Sequence, residues 1–375
     1  MLYVDIPTPP EIRSLISLRA DACVSIYLST TAQTQHVKAS RIAFGNLVGA
    51  ALKQLEEAGL DKRRSALLAA ELAGLEDDDA FWRLQANSLA VLATPDTVRT
   101  FRLATAVTDR VEVSDRFHLK PLLRAVAFPQ TAFVLALSEN ATRLVEVFAD
   151  LAPSPVRVPD LPRSAADAVG RASVNNLTQG TRIANAQGQT LLLRQYARQV
   201  DAALRAVMSG RETPLILAAS EPLGPIFRAI NTYPALVEEG ISASPDHMSD
   251  GELAEAARPV LDGLYARQID AAKALFQTRS GQRRATTDIN VAARAATQGA
   301  IELLLIDIDQ VLPGSMDDVD GKVSLASTAS AGSYDVIDEI AGRAILTGGR
   351  VLSVRRADLP EEALLAAILR YPQSE

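Results

Sequence analysis

Apolar and polar positions alternate along this chain with two different periods. VSIYLST (24–30) is apolar and β-branched, which reads as a strand. Residues 37–57 then place apolar side chains at 42, 44, 47, 48, 51, 52 and 55, the spacing of one helix face, and Gly59 ends that helix. A second helix is expected over 62–75. SLAVLAT, TVRTFRL and RVEVSDR follow as short strands parted by turn residues such as Pro95 and Asp96, so the first segment is mixed α/β.

FVLALS (133–138), a turn through Glu139 and Asn140, and RLVEVFA (143–149) form a hairpin pattern. Prolines 153, 155, 159 and 162 cannot donate ladder hydrogen bonds and predict an extended surface crossing. The polar run SVNNLTQGTRIANAQGQ has few apolar anchors and reads as a long loop or frayed hairpin, mobile on its own. A helix is expected from an N-cap at Thr190 to Met208, with Leu193, Tyr196, Val200, Ala203, Leu204 and Val207 on one face. TPLILAAS (213–220) has the continuous apolarity of a strand covered on both faces, and a helix begins at Pro222. Two helical stretches, broken near Pro259, lead from Ser249 to the basic spacer QTRSGQRRATT. The rest alternates helix (289–298), strand IELLLID, a Gly/Ser/Asp-rich insertion (313–333), helix YDVIDEIAGRAIL, strand RVLSVRR and helix EEALLAAILR, a small α/β sandwich.

At 375 residues the chain exceeds the size of a single core, and the pattern divides it into three domains, 1–126, 127–275 and 276–375. The net charge of −7 excludes a protein that coats nucleic acid with its whole surface. One stretch differs: residues 162–211 hold seven arginines and two aspartates, a net of +5, leaving −12 for the remainder. The opening MLYVDIPTPPEIRSLIS lacks a basic segment followed by an apolar core and a cleavage site, and no apolar run has membrane-spanning length. A cytoplasmic protein with no membrane partner is therefore expected. The single cysteine, Cys23, lies in an apolar strand pattern and reads as a buried thiol.

Serine-hydrolase elbows, phosphate loops, HExxH and paired CxxC motifs are absent from the sequence. His36, His118 and His247 lack metal-ligand spacing and read as surface or satisfied histidines. DIDQVLPGSMDDVDG overlaps part of a calcium loop, but Met316 and Ser327 fall where the first and last ligands belong, so it reads as a solvated acidic loop. No metal and no cofactor are expected. The adjacent glycines of TGGRV (347–351) read as a helix C-cap and tight turn. Gln187-Gly188-Gln189 leaves two readings open. It is an ordinary solvated loop, or a tip in which Gly188 lets the backbone approach a ligand and Gln189 orients a water without titrating.

The hairpin FVLALSENATRLVEVF, the later GQT-xxx-R helix and the closing unit AATQGAIELLLID…VIDEIAGRAILTGGRVLSVRRADLPEEALLAAILRY resemble archaeal and eukaryotic peptide-chain release factor 1 and its relative Pelota. With YLST and RFHLKPLL (116–123) in the N-terminal segment, the whole chain is similar to the bacterial branch of that superfamily. The resemblance implies an RNase H-like central domain and an L7Ae/L30e-like C-terminal domain. It implies that Gly188 and Gln189, at a tip that enters the ribosomal peptidyl-transferase centre, assist hydrolysis of peptidyl-tRNA. Gln187 stands where the family's first tip glycine belongs, and a side chain at a left-handed position costs on the order of 1–2 kcal/mol. Arg182, Arg194, Arg198 and Arg205, with Arg283 and Arg284 of the spacer, are the expected RNA contacts. The implied partners are the ribosome with its RNA and tRNA, and a translational GTPase held by the C-terminal domain. No counterpart of a stop-codon-reading motif occurs in residues 1–126. Two functions follow: peptide release or rescue of stalled ribosomes, or non-catalytic occupation of the same site in stress or hibernation.

Overall fold

The computed structural model describes residues 4–31, 37–129, 131–148, 152–170, 186–327 and 333–372. They belong to two compact units, one of Met1–Pro129 with Arg267–Glu375 and one of Gln130–Ala266. The first unit opens with α1 (Pro9–Ser17), whose Thr8 and Glu11 form a capping box. β1 (Cys23–Ser29), α2 (Val37–Glu57), α3 (Lys62–Asp77) and α4 (Asp79–Arg83) follow, α3 and α4 capped by Asp61 and Asp78. Then come β2 (Ser88–Thr94), β3 (Thr97–Leu103), β4 (Arg110–Ser114) and α5 (Lys120–Ala127). The four strands form an antiparallel sheet in the order β3-β2-β1-β4, which leaves β4 at an edge. Cys23 is buried in β1, where desolvation pushes its thiol up to about 12, as an inert core thiol requires.

In the second unit β5 (Thr131–Leu137) and β6 (Thr142–Phe148) are the expected hairpin, and β7 (Ser154–Val156) adds to the β6 edge. Pro155 is tolerated there because an edge strand has one side without ladder bonds. α6 (Ala165–Val169), α7 (Ala186–Met208), β8 (Leu215–Ala218) and α8 (Leu223–Ile230) follow, with β8 parallel to β5. α9 (Asp250–Ser280), whose residues after Ala266 are counted with the first unit, runs unbroken through Pro259, where the pattern predicts a break. Pro259 and Glu255 are both exposed, so the carbonyl that loses its intrahelical bond is on the wet side of the helix. The helix expected from an N-cap at Thr190 begins instead at Ala186, placing Thr190 inside it. Alanine and glutamine favour the helix and offset one early glycine.

The first unit resumes with β9 (Ala285–Thr286), α10 (Ile289–Thr297), β10 (Ile301–Asp307), β11 (Pro313–Met316), β12 (Val323–Leu325), β13 (Tyr334–Asp335), α11 (Val336–Leu346), β14 (Arg350–Val354) and β15 (Leu365–Leu369). A mixed sheet has the order β14-β10-β15-β9, and a small one the order β12-β11-β13. β15 corrects the expected helix EEALLAAILR. Its five residues are all buried, paired antiparallel with β10 on one side and β9 on the other. A short apolar run suits a strand covered on both faces as well as a buried helix, and pairing decides. Gly348, at φ +80°, makes the turn after α11; a Cβ on Gly349 would stand 2.9 Å from the Ile301 carbonyl. Tyr27, Leu92 and Phe117 share one apolar cluster with Leu304, Ile340 and Leu369, so residues before 129 and after 267 build a common core.

Candidate functional site

Of the basic stretch 162–211 the structure describes 162–170 and 186–211, and in the latter α7 presents two contrasting faces. Leu193, Tyr196, Val200, Leu204 and Met208 are buried in the cluster formed with Phe133, Leu135 and Leu144 of the hairpin. The Tyr196 hydroxyl donates to the Ser138 carbonyl at 2.9 Å and shares a hydrogen bond with Thr142, and burial pushes the phenol up to about 12. Asp201, also buried, accepts the Thr232 backbone N–H at 2.9 Å and the Thr232 hydroxyl. These bonds lock the rotation of α7 about its axis and so determine which residues face outward.

Arg194, Arg198 and Arg205 all lie on the outward face, beside exposed Leu191. Arg205 stands 3.5 Å from Asp201. Arg194 and Arg198, one turn apart, have no ion pair among the described residues, and with Pro225, Ile226, Ala229 and Ile230 of α8 they line a groove of about 380 Å³. Two unpaired guanidinium groups above an apolar floor suit a chain that alternates phosphates with flat apolar rings.

Gly188 and Gln189 lie in the first turn of α7 and take helical backbone, rather than forming the tip of a loop. Gln189 is exposed, and its amide donates to Glu139 Oε1 at 3.4 Å, at the turn of the β5–β6 hairpin. The first N–H groups of a helix lack intrahelical partners, so this end offers donors and partial positive charge. Gln187 is in the same turn. Arg182 and the polar run 171–185 lie outside the described residues.

Arg283 and Arg284 belong to the other unit. Arg283 is exposed at φ +56°. Arg284 is engaged internally: its Nε donates to the Leu369 carbonyl at 3.0 Å and its Nη2 approaches Glu302 at 3.4 Å.

RFHLKPLL forms a second polar cluster, inside the first unit. Lys120 is fully buried, with its ammonium 2.7 Å from Asp335 and donating to the carbonyls of Asp307 and Gln310. Arg116 stacks 3.7 Å over the Tyr334 ring and pairs with Glu339 at 2.6 Å. Burial alone would raise Glu339, but Arg116, Arg343 and Arg19 outweigh it and hold the carboxyl below its ordinary range. Asp338 accepts the Leu119 N–H at 2.7 Å, yet burial, with Asp335 nearby, pushes it up to about 8. His118 corrects the expectation of a surface or satisfied histidine. It is buried, with no hydrogen-bond partner on either ring nitrogen among the described residues, and desolvation with the charges of Lys120 and Arg110 holds it well below its ordinary value. The signal for this cluster was cations interleaved with apolar residues in RFHLK, matched by acids at 335, 338 and 339. Neither half has a readable role without the other. Among the described residues no three potential ligands gather to hold a metal, and no helix is long and apolar enough to cross a membrane.

Residues 129–267 match the family described as bacterial archaeo-eukaryotic release factor family 11, and this range coincides within a residue at each end with the compact unit Gln130–Ala266. No curated protein matches the chain. Among solved structures it is similar to an archaeal translation termination factor, aRF1, at 13% identity, covering 98% of this chain and 99% of that chain with a TM-score of 0.22. It is similar to archaeal Pelota, in a model of ribosome-bound Pelota and ABCE1, at 14% identity, covering 76% and 78% with a TM-score of 0.42. Archaeoglobus fulgidus Pelota is 11% identical, covering 98% and 94% with a TM-score of 0.32.

Proposed function

We propose, from the premise that this chain carries the bacterial archaeo-eukaryotic release-factor module over residues 129–267, that it is a cytoplasmic, ribosome-associated factor acting in peptide release or the rescue of stalled ribosomes. The observation that carries the reading is the coincidence of the family match with one compact unit whose long helix turns Arg194, Arg198 and Arg205 outward. Arginine on a rigid helix binds RNA phosphates and fixes register; it carries no chemistry of its own. Chemistry falls to Gly188 and Gln189, at the N-terminal end of that helix. The hairpin joined to a parallel strand and flanked by helices supports an RNase H-like reading of the central domain, 127–275. The mixed sheet with α10 and α11 supports an L7Ae/L30e-like reading of 276–375, the part that holds a translational GTPase. No cofactor is needed for ester hydrolysis by an oriented water.

One observation favours the second reading, a factor that occupies the ribosomal site without hydrolysis. Gly188 and Gln189 have helical backbone, and Gln189 is tethered to Glu139. A glutamine committed to a helix is not free to place a water at a reacting ester.

Ribosome co-sedimentation at low and raised salt, followed by a peptidyl-tRNA release assay on wild type and Gln189→Ala, separates these readings. Salt-sensitive binding with release lost in the variant is the expected result for a release factor. Binding without Gln189-dependent release leaves only the occupying factor, and absence of salt-sensitive binding removes both.

A further inference from the structure

A cleft of about 1000 Å³ in the first unit has no part in the function proposed above. Four consecutive residues of β4, Val111–Ser114, line one wall. β4 is the last strand of its sheet, and beyond its ladder with β1 its residues 110–114 make no backbone hydrogen bond to another described residue. In an antiparallel edge strand every second residue directs both its N–H and its C=O away from its one partner, so this wall presents unused donors and acceptors. Tyr334 and Asp335 of β13, the edge of the small sheet, line the same cleft.

The charged lining is unequal. Asp21, Glu57, Asp61, Glu112 and Asp335 line it with Arg64 as the single basic residue of the wall; Arg64 stands 3.2 Å from Asp21, Lys53 3.9 Å from Glu57, Arg110 3.7 Å from Glu112 and Lys120 2.7 Å from Asp335, which leaves Asp61 without an ion pair among the described residues. Glu112–Ser114 and Ser333–Asp335 are also part of the lining of an adjacent cavity of about 30 Å³, which His118 and Asp338 line as well. Both side chains are nine-tenths or more buried, and the two His118 ring nitrogens and Asp338 Oδ1 have no hydrogen-bond partner among the described residues.

We infer that this cleft takes an extended peptide bearing lysine or arginine, which adds as a strand to the open edge of β4 and directs side chains toward the acidic wall and the His118–Asp338 cavity. Backbone pairing to an edge supplies affinity, and alternate side chains supply selection. Val111–Ser114 span about 14 Å at roughly 3.4 Å per residue, room for four residues of the added strand. Glu112, which burial holds above its ordinary range although Arg110 stands 3.7 Å away, gains a second cation from such a partner.

The test uses the full chain and a fluorescein-labelled hexapeptide of alternating lysine and valine, with alternating glutamate and valine as control. Anisotropy titration is expected to give saturable binding of the lysine peptide at least tenfold tighter than the control, weakened about tenfold in Glu57→Lys and further when Glu112→Gln is added. Amide exchange at 111–114 is expected to slow at least fivefold on saturation. Equal affinity for the two peptides overturns the inference, as does unchanged exchange at 111–114. A concentration-dependent dimer that itself protects 111–114 assigns the edge to a second copy of the chain and overturns it too.

Discussion

Asp338→Asn is expected to stabilise the first unit at neutral pH by removing an ionisable group that the fold holds neutral. Asp338 has its carboxyl pushed up to about 8, from an ordinary value of 3.8, by burial and by the neighbouring Asp335. Between those values the unfolded chain has released its proton and the native protein retains it. This group's contribution is therefore fully present below the unfolded value and is lost progressively as pH rises through the folded one. At about 1.36 kcal/mol per pH unit, the cost accumulated by pH 7 is on the order of 4 kcal/mol, an upper bound because local relaxation and water entry relieve part of it. Asparagine keeps the oxygen that accepts the Leu119 N–H and does not titrate. Trp82, the sole tryptophan, is buried in this unit and reports its unfolding by fluorescence. Urea titrations from pH 4 to pH 8 are expected to show wild type and variant alike near pH 4, with the variant pulling ahead by several kcal/mol by pH 8. A difference that is absent at pH 7, or constant across the range, refutes the assignment of a neutral buried carboxyl.

Lys120→Met strands Asp335 without its ammonium partner and is expected to cost about 3–5 kcal/mol, read as an early Trp82 transition in urea. Tyr196→Phe removes the bond to Ser138 and frees the rotation of α7. It is expected to destabilise the second unit by about 1–3 kcal/mol and to speed its proteolysis while leaving Trp82 unfolding unchanged. Arg194→Ala with Arg198→Ala alters two exposed side chains that have no ion pair among the described residues, so melting temperature is expected to hold. The slope of log binding against log salt in ribosome co-sedimentation is expected to fall by roughly 0.7–0.9 for each phosphate that the variant no longer neutralises.

Local pattern was sufficient for β1, α2, the β5–β6 hairpin and β10, where a run of one period is bounded by turn residues and pairs with a near neighbour or with its own surface. The outward arginines of α7 were legible for the same reason: Leu193, Tyr196, Val200 and Leu204 recur at helical spacing and leave 194, 198 and 205 on the other side. The Gln-Gly-Gln triplet is visible as residues, but its local pattern reads as a loop where the structure has the first turn of a helix, because one glycine there weakens a helix without ending it.

Tertiary structure decided what depends on partners distant in sequence. Residues 365–369 are a strand because β10 and β9 lie on either side of them, and no local period distinguishes that from a buried helix. α9 passes Pro259 because the freed carbonyl is on the exposed side, a matter of which face the rest of the unit covers. Lys120 and Asp338 acquire their partners from pairings between residues about 190 to 220 apart in the chain, and His118 and Asp338 acquire their shifted protonation from the burial that comes with them. Sequence determines which groups are present; the low dielectric that gives them their energies exists only where the two segments close over each other.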